Sequence, residues 1–327
     1  METKAHSDTP MLLRIARIDD AADGIRSFEL VQPDGAPLPP FTPGSHIRVQ
    51  VPGGMLRTML RKYSLCNEPQ ERHRYVITVK RDAQGQGGSM SLVDGAKVGD
   101  ALPTSLPESA FALVEHAKAY LFIAGGIGIT PIVSMIRSLG DPAAVPWKLI
   151  YLTRSPQETA FRDELADAAW ARSVTIHHDH GDPARALDLW PALERPNTAH
   201  LYCCGPPGLM ESVRDMTGHW SPGNIHFESF LEGGGVRPDD TPFKVSAPKA
   251  GLAGLEVPVG KSILAVLREY GCVVASSCES GTCGTCRTGL LEGQADHRDR
   301  VLMPEEFERQ IMVCVSRAKS AELVLDL

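Results

Sequence analysis

Between Met11 and about Leu106 the chain alternates apolar and polar residues in short runs, notably Ile25–Gln32, Ile47–Val51 and Arg74–Lys80. A period of two predicts strands with one buried face. Pro33-Asp34-Gly35, Pro43-Gly44 and Pro52-Gly53-Gly54 supply the turns between them. Short strands punctuated this regularly predict a small antiparallel β-barrel. After Phe111 the pattern changes. Apolar strands at Tyr120–Ala124, Trp147–Thr153, Val174–His178, Ala199–Cys204 and Ile225–Glu228 alternate with runs of helical period. These runs reach to about Leu139, cover Phe161–Ala169, follow Pro183 and cover Leu209–His219. Strand–helix alternation predicts an α/β domain whose parallel sheet is covered on both faces.

A third pattern starts at Phe243. Strands at Phe243–Ser246 and Gly254–Val257, a helix over Ser262–Tyr270 and a strand Ile311–Val315 surround a cysteine-rich loop, the composition of an α+β β-grasp fold. Before it, Glu232 to Pro242 reads as a linker, glycine first and then proline and charge. The expected organisation is therefore multidomain: a barrel over 1–112, an α/β domain over 113–231, a linker over 232–242 and a small domain over 243–327.

Composition adds limits. A chain of 327 residues has room for two or three cores. A net charge of −7 leaves no basic excess for nucleic acid. No apolar run approaches the ~20 residues that span a bilayer. The run Met11–Ile18 is broken by Arg14 and Arg17 and does not read as a signal peptide. Eight cysteines in a chain this long do not form a small disulfide framework. A cytoplasmic protein that binds neither membrane nor nucleic acid is expected.

Four of those cysteines carry chemistry. Cys278, Cys283 and Cys286 stand at C-x4-C-x2-C spacing and Cys314 follows after a longer gap, the plant-type [2Fe–2S] pattern. Glycines interleaved with them permit tight turns that aim backbone N–H groups at an anionic cluster. Zinc sites usually pair short C-x2-C hooks, and the overlapping x4 spacing disfavours zinc. A cluster moves electrons singly, so the remaining chain should supply their source.

Two features of the first third exceed what a barrel needs. In Arg61-Lys62-Tyr63-Ser64 a strand places Arg61 and Tyr63 on one face, a guanidinium beside an aromatic ring. A solvated barrel wall carries the same pair. Gly85-Gln86-Gly87-Gly88-Ser89 opens a short helix near Ser89–Val93, offering free N–H groups and the positive dipole end to a phosphate. Val79, Lys80 and Arg81 precede it, and the two cations add charge. Together these features indicate a phosphorylated ring cofactor, with flavin the leading candidate.

The middle third holds a second set. Gly125-Gly126-Ile127-Gly128-Ile129-Thr130-Pro131 follows the first strand at the edge where such sheets bind ligands. It reads G-x-G-x-x-P, departing from the dinucleotide fingerprint, and Pro131 suits the first helical position. Cys204-Gly205-Pro206-Pro207-Gly208 closes a later strand on the same edge. Cys203 reads as a buried apolar residue, while Cys204, at the strand tip, is either buried or in contact with the ligand. His177, His178, Asp179, His180 and Asp182 resemble a metal cluster. Strand alternation sends His177 and His178 to opposite faces, so a loop lining the nucleotide site is the better expectation.

Taken together, these motifs make the chain resemble, over nearly its full length, the phthalate dioxygenase reductase family, the one-chain reductases of Rieske oxygenases. Arg61 to Ser64, Gly87 to Ser89, Gly125 to Pro131, Cys204 to Pro206, His226-Phe227-Glu228-Ser229-Phe230 and the four cysteines carry the resemblance. So does the order flavin, nucleotide, ferredoxin, since sister families place the ferredoxin first. The resemblance implies FMN, NADH and a [2Fe–2S] cluster. The residues alone leave FAD open, and Arg154, just past the second sheet strand, leaves NADPH open.

By resemblance Ser64 lies near flavin N5, Tyr63 lines the ring and Arg61 holds the phosphate, helped by Val79, Lys80, Arg81, Gly87, Gly88 and Ser89. Cys204 lies near the nicotinamide and Phe230 covers the ring, which makes Ser64, Cys204 and Phe230 the expected catalytic set. Gly125, Gly126, Gly128, Thr130, Pro131, Arg154, Gly205 and Pro206 complete the nucleotide contacts. Plant-type clusters lie near −400 mV and Rieske centres at about −150 to +300 mV, so onward transfer is downhill. The expected function is an NADH-dependent reductase, monomeric, feeding a Rieske aromatic-ring oxygenase. The rivals are a reductase of another oxygenase class and a flavin/iron–sulfur redox sensor.

Overall fold

The computed structural model describes residues 11–52, 58–85, 87–109, 111–140, 145–196, 198–230, 237, 239–276, 281, 284–299 and 301–327. The chain divides into two compact units, Met1–Phe227 and Glu228–Leu327.

The first unit begins with strands β1 (Met11–Ala22), β2 (Ile25–Val31), β3 (Ser45–Pro52), β4 (Thr58–Ser64), β5 (Tyr75–Lys80), β6 (Ala101–Thr104) and β7 (Glu108–Ser109). They pair antiparallel in the order β4-β3-β6-β1-β2-β5, with β7 on β3. A bridge between Leu65 and Ile77, and a 2.8 Å hydrogen bond from the Cys66 N–H to the Val76 carbonyl, join the two ends of that order. Alternate residues point inward: Leu13 and Ile15, Phe28 and Leu30, Ile47, Val49 and Val51, Ile77 and Val79 form one core. Burying each such side chain contributes about 1.5–3 kcal/mol. The period of two that predicts a barrel is therefore the signature of this core.

Strands β8 (Tyr120–Gly125), β9 (Trp147–Thr153), β10 (Val174–His178), β11 (His200–Cys204) and β12 (Ile225–Glu228) follow in the order β10-β9-β8-β11-β12, parallel from β10 through β11. Helix α1 (Gly88–Met90) lies in the barrel segment, and α2 (Ile129–Ser138), α3 (Arg162–Leu165), α4 (Trp190–Leu193) and α5 (Pro207–Met216) flank the sheet. Tyr120, Phe122 and Ala124 face a core shared with α2 and α3, whereas Leu121 and Ile123 face α4 and α5. Both faces are covered, as strand–helix alternation predicts. The loop leaving the barrel is fixed by two tyrosines. The Tyr202 hydroxyl accepts from the Val114 N–H at 2.7 Å, and the Tyr120 hydroxyl donates to the Val114 carbonyl at 2.7 Å.

Two helices are shorter than their periodicity predicts. The run over 161–169 is helical only at α3, because Phe161 takes a left-handed backbone (φ 58°) and Asp167 turns its carboxylate onto the Ala169 N–H. After Pro183 there is a 3₁₀ turn, Pro183–Arg185, and then α4, each preceded by an aspartate accepting from the backbone, Asp182 and Asp188.

The second unit contains β13 (Phe243–Ala247), β14 (Leu252–Val257), β15 (Arg287–Glu292), β16 (Ala295–Asp296), β17 (Gln310–Met312), β18 (Arg317–Ala318) and β19 (Glu322–Leu325), with helix α6 (Ile263–Glu269). The main sheet runs β14-β13-β19-β15-β17, with β13 and β19 parallel. Ser262 caps α6 through a 3.1 Å bond from the Ala265 N–H, and α6 buries Ile263, Leu264, Val266 and Leu267 on the sheet. The mixed sheet with one packed helix is a β-grasp fold. Asp240 and Thr241, within the expected linker, pack on this unit: Asp240 pairs with Arg298, and the Thr241 carbonyl accepts from Arg317 at 3.0 Å. Among the described residues no helix is long and apolar enough to cross a membrane.

Candidate active site

Arg61, Tyr63 and Ser64 project from the C-terminal half of β4. The turn before α1 reaches the same place. A Cβ on Gly88 would lie 3.1 Å from Arg61 Cγ and 3.2 Å from its Nε, so this turn lies close against the arginine side chain and a Cβ there would crowd it. Gly87 adopts φ 93°, which glycine takes without strain. Two sequence motifs more than twenty residues apart thus meet. Burial pushes the Tyr63 phenol up to about 12 against the opposing effect of Arg61, so it stays a hydrogen-bond donor near neutral pH. The Ser64 side chain is buried, and its hydroxyl has no hydrogen-bond partner among the described residues. A buried hydroxyl left unpaired is costly and calls for a partner.

The neighbouring candidates divide. Ser89 Oγ accepts from the Asp82 N–H at 3.0 Å. The Arg81 guanidinium pairs with Asp94 at 2.9 Å, and Lys80 Nζ lies 3.4 Å from Glu158. Val79 points into the barrel core. The positive charge counted in the sequence at 80–81 is thus largely answered by carboxylates.

The two glycine turns of the sheet pack backbone to backbone. A Cβ on Gly128 would lie 2.3 Å from the Cys204 carbonyl oxygen, and one on Gly205 would lie 2.9 Å from Gly125 Cα and N. A Cβ on Gly125 would lie 2.6 Å from Pro206 Cδ. The chain passes Gly126–Gly128 as a 3₁₀ turn before α2, which places Pro131 third in the helix rather than first. The position still suits proline, whose missing N–H is among the unbonded ones of a first turn. Thr130 Oγ1 donates to the Ile127 carbonyl at 2.9 Å and tightens this start. Cys203 and Cys204 face opposite cores, and burial pushes the Cys203 thiol up to about 12. Arg154 is exposed beyond β9, its carbonyl accepting from the His180 N–H at 2.9 Å. His177 bonds the Arg185 carbonyl (2.7 Å) and His178 bonds Thr153 Oγ1 (2.8 Å), each ring engaged in its own contact.

In the second unit Cys286 and Cys314 are both buried. Cys286 Sγ lies 3.9 Å from Met312 Sδ, and Cys314 occupies the turn just after β17 rather than a strand. Gly281 (φ 74°) and Gly284 (φ 79°) take left-handed backbone, and a Cβ on Gly281 would lie 2.7 Å from Val315 Cγ2. The glycines between the cysteines thus serve both turn and close packing. Cys278 and Cys283 lie outside the described residues. Phe230 is exposed beyond β12.

One group had no motif to announce it. Ser134 and Arg137, on α2, bond the carbonyls of Asn67 (2.9 Å) and Cys66 (2.5 Å), just beyond β4. In sequence they are an ordinary helical serine and arginine.

A barrel whose Arg61 lies against a glycine turn, a parallel sheet with paired glycine turns and a β-grasp unit with cluster-type cysteines define the class, an iron–sulfur flavoprotein oxidoreductase. Residues 122–215 match the family described as oxidoreductase NAD-binding domain, and residues 252–319 match the 2Fe-2S iron-sulfur cluster binding domain. The chain is 53% identical over 316 residues to the phthalate 4,5-dioxygenase oxygenase reductase subunit of Pseudomonas putida, covering 96% of each chain. It is 53% identical over 326 residues to phthalate dioxygenase reductase of Burkholderia cepacia, covering 99% of this chain and 100% of that one. A solved structure of phthalate dioxygenase reductase, described as modular for electron transfer from pyridine nucleotides to [2Fe–2S], superposes with a TM-score of 0.77 at 53% identity, covering 97% and 98% of the two chains. The chain belongs to the phthalate dioxygenase reductase family.

Proposed function

We propose that this chain is the NADH-dependent reductase component of a Rieske aromatic-ring oxygenase system, taking electrons from NADH and delivering them singly to the oxygenase. The observation that carries the reading is the buried Ser64 hydroxyl, without a hydrogen-bond partner among the described residues, on the strand that presents Arg61 and Tyr63 to the Gly87–Gly88 turn. These residues fit FMN. Arg61 and the N–H groups after Gly87 would hold the phosphate, Tyr63 would line the ring and Ser64 would offer its hydroxyl to it. When bound, FMN accepts the two electrons of a hydride and releases them one at a time, the conversion needed between a nicotinamide and a [2Fe–2S] cluster.

Gly125, Gly126 and Gly128, with Thr130 and Pro131 at the start of α2, face Gly205 and Pro206 across the turn that Cys204 opens, and together they hold NADH. Arg154 stands at the adenosine side. Phe230 keeps the ring-covering role that the resemblance implies. Cys278, Cys283, Cys286 and Cys314 hold the cluster. The domain limits 1–112, 113–231, 232–242 and 243–327 belong to the same proposal, as does a cytoplasmic monomer that meets its oxygenase transiently. The similarity to a reductase subunit of an oxygenase system supports that partner.

The test mixes holoprotein, NADH and a purified phthalate-type Rieske oxygenase without oxygen. Bleaching of the Rieske absorbance that requires this chain supports the reading. Rapid cytochrome c reduction without Rieske reduction would assign the chain to another oxygenase class, and no reduction of either would leave a sensor.

A further inference from the structure

Helix α2 starts at the nucleotide turn and ends on the barrel. Its ten residues span about 15 Å. Its first turn contains Thr130 and Pro131. Its second half reaches Cys66 and Asn67, two and three residues beyond Ser64. Ser134 is fully buried, and its Oγ donates to the Asn67 carbonyl at 2.9 Å. Arg137 Nη1 donates to the Cys66 carbonyl at 2.5 Å, while its Nε and Nη2 grip both oxygens of Glu164 at 2.8 and 2.6 Å. The guanidinium also stands 5.5 Å from the centre of the Phe161 ring.

The barrel end of this link is rigid. The Cys66 N–H bonds the Val76 carbonyl, and the Asn67 side chain bonds the Val76 N–H (2.9 Å) and the Arg74 carbonyl (3.1 Å). A third contact meets the flexible end of a side chain and adds packing. A Cβ on Gly44, in the turn before β3, would lie 2.7 Å from Met135 Cε. The helix that presents the nucleotide turn is therefore fastened to the segment just beyond the strand that presents Ser64, through two carbonyls.

We propose that Arg137, with Ser134, is a positioning residue for hydride transfer, holding the nucleotide turn in register with the flavin strand. The proposal rests on the reading of those two sites given above. Neither residue touches the reacting atoms. Hydride transfer needs donor and acceptor about 3–3.5 Å apart, and a displacement of about 1 Å can cost on the order of 100-fold in rate. A bland ion pair between Arg137 and Glu164 would serve stability alone, and the two roles predict different kinetics.

The experiment is anaerobic stopped-flow reduction of holoprotein by NADH and by 4-deuterated NADH, for wild type, Arg137→Ala, Arg137→Lys, Ser134→Ala and Glu164→Gln. Positioning predicts that Arg137→Ala reduces its flavin about tenfold or more slowly at saturating NADH, with flavin occupancy kept and a larger isotope effect. Ser134→Ala is slowed by a smaller factor, and Arg137→Lys recovers part of the loss because an ammonium still reaches a carbonyl. Glu164→Gln melts lower and reacts nearly as wild type. Wild-type rates and isotope effects in both Arg137→Ala and Ser134→Ala overturn the proposal, and if Arg137→Ala does not fold, Ser134→Ala decides alone. A wild-type protein that NADH cannot reduce would instead sink the functional reading.

Discussion

Replacing Gly128 with alanine puts a methyl group where the two nucleotide turns touch. The new Cβ would lie 2.3 Å from the Cys204 oxygen, 2.5 Å from its carbonyl carbon and 2.8 Å from the Gly205 nitrogen. Non-bonded carbon contacts are optimal at about 3.5–4.0 Å, so the turns must part by roughly 1 Å. The obstructing atoms are backbone, which cannot swing aside as a side chain would. Overpacking of this kind costs about 1–3 kcal/mol. A shift of about 1 Å in a substrate-holding element costs on the order of 100-fold in rate. The expected outcome is weaker NADH binding and flavin reduction slowed by roughly that factor, with flavin content unchanged because Arg61, Ser64 and Gly88 belong to the barrel. Gly208→Ala is the control from the same site. Nothing lies within 4 Å of its Cβ position, it belongs to α5, and alanine is favoured over glycine in a helix by up to about 1 kcal/mol. It should bind NADH as wild type does and melt slightly higher. Stopped-flow reduction and calorimetric NADH titration of both variants decide the matter. A Gly128→Ala protein with wild-type affinity and rate would refute the reasoning.

Three further outcomes are expected. Ser64→Ala removes a buried hydroxyl whose unpaired state costs about 1–3 kcal/mol, so flavin-free protein melts no lower than wild type while flavin reduction falls about tenfold. Unchanged reduction would deny the hydroxyl its role. Cys314→Ala abolishes the visible absorbance and EPR signal of the cluster but keeps the flavin, and a retained cluster would overturn the ligand assignment. Burial pushes His226 down to about 4, with the charge of neighbouring His200 adding to the effect. It is therefore neutral when folded and gains a proton on unfolding as pH falls below about 6.5. Its contribution is complete above that pH and is lost between about 6.5 and 4, on the order of 1 kcal/mol after solvent screening. His226→Gln should lose less melting temperature than wild type between pH 7 and 4.5, and equal losses would exclude this histidine as the source.

The elements most legible in the sequence are those whose apolar residues are all buried in a core. The alternation of Tyr120, Phe122 and Ala124 against Leu121 and Ile123 marks a strand covered on both sides, and the structure covers it so. Glycine motifs were legible for a related reason: a side chain at Gly128 would collide with another segment, and one at Gly88 would crowd Arg61. Side-chain partners were less so. Arg81 reads as a phosphate ligand until Asp94, thirteen residues on, folds against it. The helix at 161–169 ends early because Asp167 bonds the Ala169 N–H, and the run after Pro183 is split into two short elements that start at Asp182 and Asp188, which an apolar period does not register. Cys314 sits in a turn although its apolar neighbours read as a strand. Their burial comes from packing beside α6, where the Leu264 N–H bonds the Val313 carbonyl. The link from Arg137 to Cys66 leaves no trace in a linear reading, since one partner is a backbone carbonyl 71 residues away.

The central claim is a relay within one chain, from NADH through a flavin on β4 to a cluster on the four cysteines. Anaerobic titration of the purified protein with NADH, followed by absorbance and EPR, tests it most directly. The account predicts flavin bleaching together with the signal of a reduced [2Fe–2S] cluster. A protein that is colourless, or that binds zinc and no flavin, would contradict it.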